Sequence, residues 1–151
     1  MSIKFIRTNS ENTDFRKLID KLDEDLYQRN GEVQLQYRQY NQVDSIDHVV
    51  VIYFEGKPVG CGCYKRFDDT TVEMKRMFVL PEIRGKQLAA RMLQELETWA
   101  IEEGNIAAVL ETGHRQAEAV RLYTIAGYSL IQNYGQYIGM DESICFRKEL
   151  K

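Results

Sequence analysis

Cysteine and proline are both scarce in this chain of 151 residues, with three of one and two of the other. An odd number of thiols, spaced as Cys61, Cys63 and Cys145, fits neither a disulfide scaffold nor a zinc framework. So few prolines, with ten glycines, 44% hydrophobic and 28% charged residues, exclude collagenous, linker-like and disordered chains. Charge of neither sign is in excess: the net charge is −3 and the pI about 5.5, so no basic field is present to release counterions from a nucleic acid. Long apolar runs are missing as well. Nothing approaches the ~20 apolar residues that span a bilayer, and the start MSIKFIRTNS has no apolar signal-peptide core. A soluble cytoplasmic protein with no nucleic-acid or membrane partner is expected. Only His48 and His114 represent histidine, far apart in sequence, so no metal site is expected.

What is present suffices for one hydrophobic core. A chain of this length buries roughly 70% of its unfolded surface in a single domain, here residues 1–151. An alternating strand, Ile3 to Arg7, leads to a helix with Thr13 as N-cap and Phe15, Leu18, Ile19, Leu22 and Leu26 at helical spacing, ending near Asn30. Residues 32–47 hold no sustained period. Three antiparallel strands follow, His48 to Phe54, Val59 to Arg66 and Thr71 to Leu80, joined by turns at Glu55–Pro58 and Asp68–Asp69. In the second of them, Cys61 and Cys63 point to one side, where small buried residues fit. Leu88, Met92, Leu93, Leu96 and Ala100 then mark a long helix that Gly104 ends, and a strand from Ile106 to Glu111 follows. A shorter helix closes at Gly127, before strands from Tyr128 and Ser143. This order is α+β, with the Thr71 and Ile106 strands parallel across a helical crossover.

The segment VLPEIRGKQLAARML carries the first chemical information: a strand ends, a turn holds Arg84, Gly85 and Lys86, and a helix begins at once. The first N–H groups of a helix lack internal partners and sit at the positive end of its dipole, so such a junction accepts a phosphate. A solvated basic turn is the alternative use of the same residues. The phosphate loop GxxxxGK[ST] and the dinucleotide fingerprint GxGxxG are both absent.

On these residues the chain resembles the GNAT superfamily of acyl-CoA dependent N-acetyltransferases, over roughly residues 48–130. The family's pyrophosphate motif [RQ]xxGx[GA] is similar to Arg84, Gly85, Lys86, Gln87, Leu88 and Ala89, with Gln87 in place of the central glycine. Its second signature, LYxxxGY, is similar to LYTIAGY. The resemblance implies a mixed, mainly antiparallel twisted sheet flanked by helices in a single domain, acetyl-CoA as co-substrate and no metal. It implies that Met77, Phe78 and Val79 offer a splayed strand end to the pantetheine arm, the Met77 N–H polarising the thioester. Gln116 falls where relatives touch the cofactor, and Tyr123 where they place the general acid that protonates the departing thiolate. At Gln87 the helix start is expected to allow helical angles.

A general base is needed because an alkylammonium, with a pKa of about 10.4, is not nucleophilic until a carboxylate takes its proton. Glu73 matches the glutamate base of the histone-acetyltransferase branch; Glu111, at the end of the parallel partner strand, is the second candidate, and either carboxylate also suits a structural ion pair or strand end. The cysteines lie outside all of these motifs, which favours direct attack by the primary amine of a small molecule or amino acid over an acyl-enzyme. A non-catalytic acyl-CoA-binding sensor or interaction module on the same fold is the alternative function. The acceptor pocket is expected from residues 32–47 and 133–141. Their Tyr37, Tyr40, Tyr134 and Tyr137 suit either an acceptor wall or the contact face of a homodimer.

Overall fold

Every residue from Val49 to Ile52 is fully buried, because helices pack on both sides of the strand that carries them. Val49 and Val51 face one side, Val50 and Ile52 the other. The computed structural model describes residues 2–30, 45–83 and 85–151. Within them, one sheet contains β1 (Ile3–Thr8), β2 (His48–Phe54), β3 (Lys57–Arg66), β4 (Thr71–Val79), β5 (Ala107–Gly113), β6 (Ser129–Ile131) and β7 (Ser143–Glu149). Its spatial order is β1-β2-β3-β4-β5-β7-β6. Only β4 and β5 run parallel, with α2 (Leu88–Glu102) connecting them; α1 (Thr13–Asn30) and α3 (Ala117–Ile125) are the other helices described. The expected α+β class and the mixed, mainly antiparallel sheet are both present. No helix among the described residues is long and apolar enough to cross a membrane.

The two faces of the sheet are covered differently. Phe15, Leu18, Ile19, Leu22 and Leu26 of α1 pack on Val49, Val51, Cys61, Cys63 and Phe78. Leu88, Met92, Leu93, Leu96 and Ala100 of α2, joined by Tyr123 of α3, fill the opposite face. Asn12 caps α1 in place of Thr13, its Oδ1 accepting the Phe15 N–H at 2.9 Å. Thr13 thereby becomes the first helical residue, one position later than a cap.

The feature that shapes the site is a bulge in β4. Cys61 pairs with Phe78 but Cys63 pairs with Lys75, so β4 carries one residue more than β3 over this stretch. Arg76 absorbs it with a left-handed backbone, φ 58°. The bulge resets the alternation, and Val72 and Met74 before it face the same side as Met77 and Val79 after it. Two carbonyls displaced from the ladder are met by thiols: Cys63 Sγ donates to Lys75 O at 3.2 Å and Cys61 Sγ to Arg76 O at 3.6 Å. The parallel pairing of β4 with β5 stops at Met74 and Leu110. Beyond that pair the two central strands part.

Candidate active site

A cleft of about 700 Å³ opens where β4 and β5 separate. Met77, Phe78 and Val79 of β4 form one wall, Gly85, Gln87, Leu88 and Ala89 at the start of α2 another, and Gln116 and Tyr123 of α3 a third. These sequence-predicted residues therefore converge on one space. Arg84 lies outside the described residues, as do Tyr37 and Tyr40. Lys86 does not line the cleft; its ammonium lies 5.7 Å from the centre of the Phe54 ring.

The start of α2 has the features of an anion site. Arg91 N–H to Gln87 O, 3.1 Å, opens the helical ladder, which leaves the N–H groups of Leu88, Ala89 and Ala90 without an intrahelical acceptor. Gly85 (φ 96°) and Gln87 (φ 59°, ψ 24°) are both left-handed, and backbone of alternating hand is what anion-binding nests are made of. The expectation of helical angles at Gln87 is thus corrected. Gln87 is the N-cap rather than the first helical residue, and the chain turns there through a conformation that glycine adopts most cheaply.

Tyr123 is 6% exposed and ends α3 in a Schellman arrangement. Tyr128 N–H reaches Tyr123 O at 3.0 Å and Gly127 N–H reaches Thr124 O at 3.2 Å, with Gly127 at φ 100°. The spacing of LYTIAGY follows from this helix end. Burial, helped by the negative charge of Glu111, pushes the Tyr123 phenol well above its ordinary range, so it is a proton donor at neutral pH. Gln116 is the N-cap of α3 and caps with its backbone, accepting from Ala119 and Val120, both at 3.1 Å.

The candidate bases lie elsewhere. Strand alternation places Glu73, Lys75 and Glu111 on the α1 side of the sheet, across from Tyr123, and neither carboxylate lines the cleft. Glu73 is 4% exposed and engaged: its Oε2 accepts from Tyr134 Oη at 2.7 Å, and Lys65 Nζ is 3.8 Å from its Oε1. Glu111 does not end its strand. β5 continues to Gly113 against β7, and Glu111 is the first residue beyond the last β4 partner. Its Oε2 accepts from Ser143 Oγ at 2.8 Å. Burial pushes this carboxyl up to about 7, with the negative charge of Glu73 adding to the rise while the Ser143 hydrogen bond and Lys75 oppose it. Burial also pulls the Lys75 ammonium down.

Tyr134 and Tyr137, around the 3₁₀ turn Gly135–Tyr137, cover this cluster, and Phe67 meets the Tyr134 ring edge-on at 5.0 Å. All three thiols are buried and pushed up by desolvation, Cys63 to about 12 and Cys145 to about 11. None is a thiolate nucleophile at neutral pH. The sequence reading missed the bulge, Ser143, and the buried contact of Tyr128 with Glu97. The bulge had a signal, since the apolar residues Val72, Met74, Met77 and Val79 slip by one position across Arg76.

A strand splay, a helix start with free N–H groups and a buried tyrosine thus meet at one candidate cleft. The model of the Acetyltransferase (GNAT) family matches residues 13–128, and the chain belongs to that family. It is an acyltransferase that carries out acetyl transfer. An IAA acetyltransferase of Azospirillum brasilense is 34% identical over 125 residues, 80% of each chain. A protein of Klebsiella pneumoniae described as an acyl-CoA N-acyltransferase superposes with a TM-score of 0.82 at 27% identity, over 99% of this chain and 98% of that one. PaiA N-acetyltransferase of Thermoplasma acidophilum, solved with coenzyme A, shares the fold at a TM-score of 0.75 and 16% identity, over 99% of both chains.

Proposed function

We propose that the protein transfers the acetyl group of acetyl-CoA to the primary amine of a small molecule or amino acid, by direct attack. The observation that carries this reading is the pair Glu111 and Tyr123. A carboxyl poised near neutrality stands just past the point where β4 and β5 part, and a protonated phenol stands across the sheet, close enough for the charge of one to act on the other. Bound acetyl-CoA supplies an activated acyl carbonyl as a thioester. The N–H groups at the start of α2, with Arg84, hold its pyrophosphate; Met77 N–H polarises the carbonyl, and the backbone of Phe78 and Val79, with Gln116, holds the arm.

Glu111, ionised, takes a proton from the substrate ammonium. The amine nitrogen then bonds to the carbonyl carbon, the carbon–sulfur bond breaks, and Tyr123 gives its proton to the departing sulfur; the nitrogen sheds its second proton to solvent as the amide forms, and solvent returns a proton to the Tyr123 phenolate. Burial holds the Glu111 carboxyl near neutrality, and Glu73, with one oxygen held by Tyr134, adds a smaller rise. Free thiol release from acetyl-CoA, measured with putrescine, tyramine and L-lysine as acceptors, tests the reading. A rate that rises with amine supports it, and a rate independent of all three argues against a small-amine acceptor. Calorimetry of Arg84→Ala tests the pyrophosphate site, where weaker acetyl-CoA binding is expected.

A further inference from the structure

Behind Tyr123 lies a partly buried ionic cluster that belongs to neither the cleft nor the Glu73 and Glu111 pair. Glu97 projects from α2 and is 7% exposed. Its Oε2 accepts from Tyr128 Oη at 2.9 Å, and its Oε1 is 3.0 Å from Lys148 Nζ of β7. The same Lys148 ammonium lies 5.7 Å from the centre of the Tyr128 ring. A carboxylate this deep needs both partners, because losing either leaves a desolvated charge partly unpaired. Tyr128 is therefore fixed at three points: its backbone N–H on Tyr123 O, its hydroxyl on Glu97, and its ring face beneath Lys148.

Tyr123 rests against that fixed ring. The two rings meet at 5.8 Å with planes 66° apart, and Phe146 flanks Tyr123 at 6.2 Å. Among the described residues the Tyr123 hydroxyl makes no hydrogen bond. Tyr123 lines the cleft, and its contacts with the Tyr128 and Phe146 rings set how its own ring lies there.

We infer that Glu97 and Lys148 are positioning residues for Tyr123, acting through Tyr128 to hold the phenol in line with the departing sulfur. The inference rests on Tyr123 as the proton donor. It adds that the donor is aimed by an ionic cluster bridging α2 and β7, so the orientation of Tyr123 depends on groups that touch neither acetyl-CoA nor the amine.

The test is a double-mutant cycle of Tyr128→Phe and Tyr123→Phe, each assayed for thiol release with the amine among putrescine, tyramine and L-lysine that the parent turns over fastest. Tyr128→Phe keeps the ring and frees it from Glu97, and kcat is expected to fall about tenfold with KM for acetyl-CoA unchanged. In the Tyr123→Phe background the same change should cost less than about twofold, since no proton donor remains to misalign. Glu97→Gln, which still accepts from Tyr128, should retain more activity than Glu97→Ala. Equal losses from Tyr128→Phe in both backgrounds, or a lower melting temperature with parental kcat, would show a purely structural cluster and overturn the inference. If Tyr123→Phe alone retains parental kcat, the proton-donor reading fails first, and the positioning role falls with it.

Discussion

Tyr128 donates its backbone N–H to the carbonyl of Tyr123 at 3.0 Å while the two rings meet edge to face at 5.8 Å. These residues are C3 and C″ of a Schellman helix end, whose side chains ordinarily meet in an apolar contact. Here that contact also sets where a phenol points. A helix terminator is thus the device that fixes a catalytic candidate, and Gly127, at φ 100° between them, makes it possible.

Tyr123→Phe is expected to lower kcat by about 10² to 10⁴, the usual cost of losing a general acid. Acetyl-CoA affinity should change little, because the ring and its packing remain. Steady-state kinetics beside calorimetry separate the two effects. A kcat within a factor of two of the parent would make the hydroxyl dispensable.

The pH dependence follows from Glu111. Its carboxyl must be ionised to take a proton, so kcat/KM should rise as pH passes through about 7, and Glu111→Gln should remove that limb. Glu73 contributes a negative charge that favours the protonated form of Glu111. Glu73→Gln should therefore move the limb to lower pH without abolishing it. A limb that persists unshifted in both variants would assign the proton to another group.

The same shift governs stability. The folded state holds the Glu111 proton more tightly than the unfolded chain does, since its carboxyl titrates at about 7 against 4.5 in the absence of the fold. The resulting stabilisation is complete below pH 4.5 and lost as pH rises through about 7. Glu111→Gln should flatten this part of the stability profile, measured as melting temperature between pH 4 and 8. A parent whose melting temperature rises relative to the variant across that range would contradict the raised carboxyl.

The architecture was legible in sequence because its signals are local. Phe15 to Leu26 and Leu88 to Ala100 show helical spacing, while His48 to Phe54 and Val59 to Arg66 show strand and turn chemistry. The cleft was legible through motifs at the ends of β4, α2 and α3. The balance between Glu73 and Glu111 was not. It depends on Tyr134 and Ser143, which approach across long sequence separations, and on the Arg76 bulge that ends the pairing of β4 with β5. The hand of Gln87 was missed for a related reason, since capping is decided by where the helix begins.

Gln87 provides a test of that conformation. A non-glycine residue held left-handed costs about 1–2 kcal/mol, and glycine removes the strain while gaining some unfolded-state entropy. Gln87→Gly should therefore stabilise the protein by about 0.5–1 kcal/mol, read from chemical denaturation. Acetyl-CoA affinity should change by less than a factor of about ten, because the N–H groups of the turn are unaltered. Destabilisation by the substitution would show that Gln87 is not left-handed in solution.

The bulge in β4 needs space on its neighbour, and Gly62 of β3 supplies it. A Cβ at Gly62 would stand 2.6 Å from Met77 Sδ, 3.1 Å from Leu96 Cδ1 and 3.2 Å from Met92 Cε. Met77 has the closest contact and also lines the cleft, so the side chain that must yield belongs to the wall of the site. Its displacement has only two directions, into the α2 core or into the cleft. The core is closed by Met92 and Leu96, both essentially unexposed. Gly62→Ala should accordingly destabilise by about 1–2 kcal/mol, the cost of overpacking, and push Met77 toward the space that acetyl-CoA occupies. Melting temperature should drop by about 2–8 °C for a chain of this size, with weaker acetyl-CoA binding in calorimetry. Gly60→Ala is the comparison: its Cβ would lie 2.9 Å from the carbonyl oxygen of Phe78, a backbone atom that cannot move aside like a methionine, so its stability loss should be larger. Parental stability and affinity in Gly62→Ala would show that Met77 has another place to go, and that the bulge does not depend on this glycine.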